Sequence, residues 1–231
     1  MKARLSSKIK TVSHNLFRNV TKTRADRRIF ERFDIKNGLI YFGSVNQHTD
    51  ENIIRGFTVS ATHQDNHFSV GTIGDYNVSI VDRSDALINV DNSVCFNNWI
   101  IVAIDLKTDQ DLPHIFISAN NQNKNSYKML FETNSVLEKV NLGTFETYNE
   151  DFTSRFTIYS PIADAIQVEK LFPAATARVI GTHLWPYSVE ITKGVLYVYC
   201  STERVTTNDL TGMLNIGLWL ARYIDLKIEQ I

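Results

Sequence analysis

Two cysteines and four prolines in 231 residues leave little to staple or punctuate the chain. Cys95 and Cys200 are too few for a disulfide framework and lack the paired spacing of a zinc or redox site. Both therefore read as small buried hydrophobes in a reducing compartment. Long apolar runs are absent as well. Nothing approaches the roughly 18 uninterrupted apolar residues of a membrane-spanning helix, and the first residues lack the apolar core of a secretory signal. The nearest run, Leu210 to Ile224, is broken by Asn215 and Arg222 and reads as a buried amphipathic helix. Also missing are the GxSxG elbow, the GxxxxGKS/T phosphate loop and the GxGxxG turn, so hydrolase, kinase and dehydrogenase readings lose their usual support. No cofactor is expected, and the expected location is cytoplasmic.

What is present suffices for a folded body. Hydrophobic residues make up 43% and charged residues 21%, a globular balance that excludes a disordered or collagenous chain. The formal net charge of -1 conceals an asymmetry. Residues 1–32 hold ten basic residues against Asp26 and Glu31, or +8, which leaves 14 basic and 23 acidic residues, or -9, for the remainder. A split of this kind marks a segment that meets an acidic surface, whether lipid, nucleic acid or the protein's own body. Within the segment Leu5, Ile9, Val12, Leu16 and Val20 recur at helical spacing, so residues 1–36 are expected to form a basic amphipathic helical arm. Lys2, Arg4, Lys8, Lys10 and Arg18 are its candidate contacts with an acidic surface.

Beyond Asn37-Gly38 the pattern changes to short runs rich in β-branched and aromatic residues. Strands are expected over Leu39 to Val45, Ile53 to Thr62, His67 to Ile73, Tyr76 to Asp82, Trp99 to Leu106 and His114 to Ala119, with Gly74-Asp75 as a hairpin turn. Consecutive strands with brief turns imply antiparallel pairing and argue against a Rossmann arrangement. The Asn-rich stretch 120–126 is the best internal boundary, a point of subdivision within a single α+β domain over 37–231. Alternation from Phe152 to Tyr159 predicts a half-buried strand, followed by a helix over Ala163 to Phe172 and a second from Pro173 to Ile180 closed by Gly181. Tyr187 to Thr192 and Val195 to Ser201 flank Lys193-Gly194 as a hairpin. A last helix, capped by Asn208 or Asp209, should bury Leu210, Leu214, Leu218, Ala221 and Ile224. The fold class is therefore α+β, a mainly antiparallel sheet with flanking helices.

Few residues suggest chemistry. His63, Asp65 and His67 alternate as strand side chains sharing a face would, and two imidazoles with a carboxylate suit zinc or iron. A metal-dependent hydrolase using these three is the alternative to a binding domain. Against it, Asp65-Asn66 is also a good turn, which would scatter the trio. His114, after Pro113, and His183, before Trp185-Pro186, show no partner in the sequence. Tyr197 and Tyr199 share a strand face without a lysine or arginine. This argues against nucleic acid and leaves core packing or a protein partner.

The stretch Asp-Phe-Thr-Ser-Arg-Phe-Thr-Ile-Tyr-Ser-Pro at 151–161, then Leu-Phe-Pro at 171–173, Ser-Val-Glu-Ile at 188–191 and Leu-Tyr-Val-Tyr at 196–199, resembles an uncharacterised bacterial protein family. Leu112-Pro113-His114-Ile115 resembles an upstream segment of it. The resemblance covers the last half of the chain and transfers no catalytic residue. It implies helices joined at a Leu-x-Pro step, a following hairpin and, for many members, membrane association. Together these readings favour a non-enzymatic binding or scaffolding domain. Its expected partner is a protein or an anionic membrane surface at the inner face, and not nucleic acid.

Overall fold

A computed structural model describes residues 24–45, 63–88, 94–120, 136–202 and 204–229. The elements in order are α1 (24–37), β1 (Ile40–Val45), β2 (His63–Ile73), β3 (Tyr76–Ile88), β4 (Val94–Asp105), β5 (Ile115–Ala119) and β6 (Glu138–Lys139). They continue with α2 (Glu150–Arg155), β7 (Phe156–Ser160), a 3-10 turn (Ile162–Asp164) running into α3 (Ala165–Leu171), α4 (Ala174–His183), β8 (Ser188–Thr192), β9 (Val195–Ser201) and α5 (Thr207–Ile228). The strands form one nine-stranded sheet in the order β1-β2-β3-β4-β9-β8-β5-β7-β6, and the pairs are antiparallel. The fold is α+β. The sheet takes strands from both sides of the Asn-rich stretch, most of which lies outside the described residues, as does the strand expected over Ile53 to Thr62.

Two hairpins follow their turn residues. Gly74 and Asp75 (φ 54 and 70°) join β2 to β3, and Lys193 and Gly194 (φ 51 and 73°) join β8 to β9. Positive φ at both central positions is the turn whose twist matches that of the flanking strands. One sheet face carries Val78, Ile80, Ile100, Val102, Leu196 and Val198, packed beneath Phe30 and Phe33 of α1, Phe152 of α2, Ile180 of α4 and Leu214 of α5. The predicted α5 stripe from Leu210 to Ile224 is buried as expected. The opposite face holds a second cluster, with Phe68, Val81, Trp99, Ile101, Phe116, Tyr197 and Tyr199, to which no described helical residue belongs.

Four local expectations are corrected. Asp65-Asn66 is not a turn but lies inside β2, where the register slips between Asn66 and Ser69. The first half of Phe152 to Tyr159 is the helix α2, with Glu150 and Asp151 in its first turn where the dipole favours acids, and the strand begins only at Phe156. Gly181 does not end its helix. It is buried within α4, where a Cβ would stand 2.9 Å from the backbone nitrogen of Phe152, so glycine allows α2 and α4 to touch. The N-cap of α5 is Thr206, whose side chain accepts from the Asp209 amide while Asp209 accepts from the Thr206 amide, a reciprocal capping box.

Candidate functional site

Helix α1 has two unlike faces. Phe30 and Phe33 are buried in the core and Asp34 is 1% exposed, whereas Arg24, Arg28, Arg32 and Lys36 are all exposed. Those four cations recur at steps of four and so line one side of the helix. None of them forms an ion pair among the described residues. Arg27 differs, since its Nε donates to Glu31 Oε1 at 2.7 Å and its guanidinium lies 5.9 Å from the centroid of Tyr41. Ile35, 83% exposed, adds an apolar side chain to the solvent side of the helix. The result is a solvated cationic ridge with one exposed aliphatic side chain beside it.

The buried side of α1 is held by a small polar cluster. The ring of Phe30 stacks on His67 with centroids 4.9 Å apart, and His67 Nδ1 is hydrogen bonded to Tyr41 Oη at 2.7 Å. Asp34 Oδ2 accepts from Ser69 Oγ at 2.7 Å, while Asp34 Oδ1 is buried without a partner. Burial pushes the Asp34 carboxyl above its usual range, and the Ser69 bond only partly offsets it. Burial, followed by the neighbouring Arg27 charge, holds the His67 imidazole below its usual range. At both positions burial works against the charged form.

The trio His63, Asp65 and His67 is not gathered on one face. Arg83, 1% exposed, donates to both carboxylate oxygens of Asp65, Nε to Oδ1 at 2.7 Å and Nη2 to Oδ2 at 2.8 Å. It lies on the sheet face that carries Trp99, its partner across the strands. His67 (φ 54°) instead turns under α1 against Phe30. The register slip at Asn66 accounts for this, because one extra residue reverses the alternation and sends Phe68 to the second face. Of His63 only the backbone is described. Among the described residues no group of three His, Cys, Asp or Glu could hold a metal.

Tyr197 and Tyr199 are 4% and 1% exposed, with rings stacked 6.2 Å apart, and belong to the second core cluster. Glu190, buried beside them, accepts from Tyr199 Oη at 2.5 Å on one oxygen and lies 2.7 Å from His114 Nε2 on the other. His114 thus gains a partner 76 residues away, which no local pattern could reveal. His183 lines a groove between α4 and α5 with Trp219 and Asn215. Lys2, Arg4, Lys8, Lys10 and Arg18 lie outside the described residues. No described helix is long and apolar enough to cross a membrane.

No family model matches the chain, and no curated protein matches it. Its fold is similar to the crystal structure of the mycobacterial trehalose monomycolate transport factor A, TtfA, with a TM-score of 0.57 over 89% of this chain and 95% of that one. At 10% sequence identity the likeness is one of fold.

Proposed function

We propose that the chain is a non-enzymatic binding or scaffolding domain, recruited to an anionic membrane surface through α1 and the basic residues that precede it. The observation that carries this reading is the ridge of Arg24, Arg28, Arg32 and Lys36, four exposed cations on one helix side without an acidic partner among the described residues. The buried guanidinium of Arg83, by contrast, is closed by Asp65. The ridge is open. Two further lines support the reading. The buried carboxylates of Glu169 and Glu190 are engaged by backbone or side-chain partners. The neighbour in fold is a transport factor, a role that needs a binding surface more than a reaction centre.

The test is sedimentation with anionic and neutral vesicles. Basic residues near an anionic surface contribute about 1 kcal/mol each. The fourfold variant R24E/R28E/R32E/K36E is therefore expected to lower partitioning onto anionic vesicles by two decades or more, about 1.4 kcal/mol being a decade. All four positions are exposed, so the fold should survive, as circular dichroism would check. Equal pelleting of the wild type with neutral and anionic vesicles would remove the membrane reading and leave a protein partner.

A further inference from the structure

A cavity of about 320 Å³ opens where the loop before α2 meets α3, α4 and the end of α5. At roughly 30 Å³ per water it has the space of about ten waters, the lower end of small-molecule sites. Its apolar wall comes from Phe145, Tyr148 and Pro173, and four charged side chains complete it. The two acids are already engaged. Glu169 Oε1 accepts the N–H groups of Gly143 and Phe145, each at 3.0 Å, and Glu146 Oε2 accepts from the Ala174 amide at 2.8 Å, capping α4. The two bases are not. Lys170 and Lys227 line the cavity and form no ion pair among the described residues. Large apolar side chains stand in solvent nearby. Phe145, itself in the wall, is 59% exposed, Ile166 precedes Lys170 by one turn on α3, and Leu226 adjoins Lys227.

A cavity with apolar walls, carboxylates turned toward backbone N–H groups and two ammonium groups without an ion pair among the described residues complements a molecule with an anionic head and a hydrocarbon tail. We propose that this is a binding site for an anionic single-chain amphiphile, with its head between Lys170 and Lys227 and its first methylenes against Phe145, Tyr148 and Pro173. At the cavity mouth the tail meets Phe145, which is 59% exposed. A compact ammonium suits such a head as a point charge without demanding fixed geometry. The site is separate from the ridge on α1.

Calorimetric titration of the full chain with dodecyl phosphate, below its micellar concentration, tests the proposal. Saturable binding of one molecule per chain is expected. K170Q/K227Q should weaken it by about tenfold or more, and K170R/K227R, which keeps both charges, should retain most of it. The ridge variant R24E/R28E/R32E/K36E should bind as the wild type does, which separates this site from the surface reading. Two controls share half of the ligand each. Dodecyltrimethylammonium has the tail with the opposite charge, and inorganic phosphate has the head without the tail. Binding of either as tight as that of dodecyl phosphate would overturn the proposal. So would an unchanged affinity in K170Q/K227Q, or no saturable binding by the wild type.

Discussion

His67 is held in a left-handed backbone conformation, stacked on Phe30 and hydrogen bonded to Tyr41, with its ring taken from water. Burial and the Arg27 charge disfavour the imidazolium, so the folded value lies below the ordinary 6.5. The unfolded chain then binds the proton more readily than the folded one. Stability from this site is present above pH 6.5 and is lost as pH falls through the folded value. The element that pays is α1, because Phe30 and Tyr41 are the partners of the ring. In a ring-proton titration by magnetic resonance His67 should change charge below 6.5, and amide protection along α1 should fall over the same interval. A midpoint at or above the ordinary value would show that the ring is solvated and the stack is not closed. Asp34 has the opposite sign, since burial raises its carboxyl and its contribution fades as pH rises.

Two of the glycines at contacts between elements differ in what a methyl group would strike. At Gly217 on α5 a Cβ would stand 2.8 Å from Ile104 Cδ1, the end of a flexible side chain. At Gly181 on α4 it would stand 2.9 and 3.0 Å from the backbone N and Cα of Phe152. Alanine gains about 1 kcal/mol of helix propensity over glycine at either position. Gly217→Ala should therefore be close to neutral in denaturant unfolding, while Gly181→Ala should destabilise by about 1–3 kcal/mol as α2 is pushed off α4. Equal effects would mean that α2 yields as easily as a side chain. The same contact explains why Gly181 misleads in the sequence, where glycine after a helical run reads as a stop. Phe152 misleads similarly. Phe152, Phe156 and Ile158 fit a strand alternation, but a six-residue helix uses Phe152 before the strand begins. The turns at Gly74-Asp75 and Lys193-Gly194 and the α5 stripe are legible because their signals are local. The face of His67 is not legible, since a single register slip reverses it, and the pairing of His114 with Glu190 exists only once β5 and β8 lie side by side. At α1 the charges are plain in the sequence, but that Arg24, Arg28, Arg32 and Lys36 meet no acidic partner among the described residues is a property of the fold.

At the scale of the whole molecule, charge division matters more than any single contact. The first 32 residues carry +8 and the rest -9, so a uniform anionic surface attracts one end of the chain and repels the other. Binding through the positive end should then be orienting as well as salt-sensitive. Removing residues 1–23 deletes six basic residues and no acidic one, which takes the formal charge from -1 to -7. If net charge governed association, this truncation would abolish binding to anionic vesicles. If the local field of α1 governs it, the open ridge of Arg24, Arg28, Arg32 and Lys36 still faces the surface. The acidic body then matters less, because a screening length of about 8 Å at physiological salt hides charges set further back. Residues 24–231 should accordingly bind anionic vesicles more weakly than the full chain, by at most about 1 kcal/mol for each basic residue removed. Preference over neutral vesicles should persist and decline with added salt. Sedimentation across a salt series decides the matter: loss of all preference in the truncated chain would assign the interaction to the first 23 residues alone and leave α1 as a helix that merely packs on its sheet.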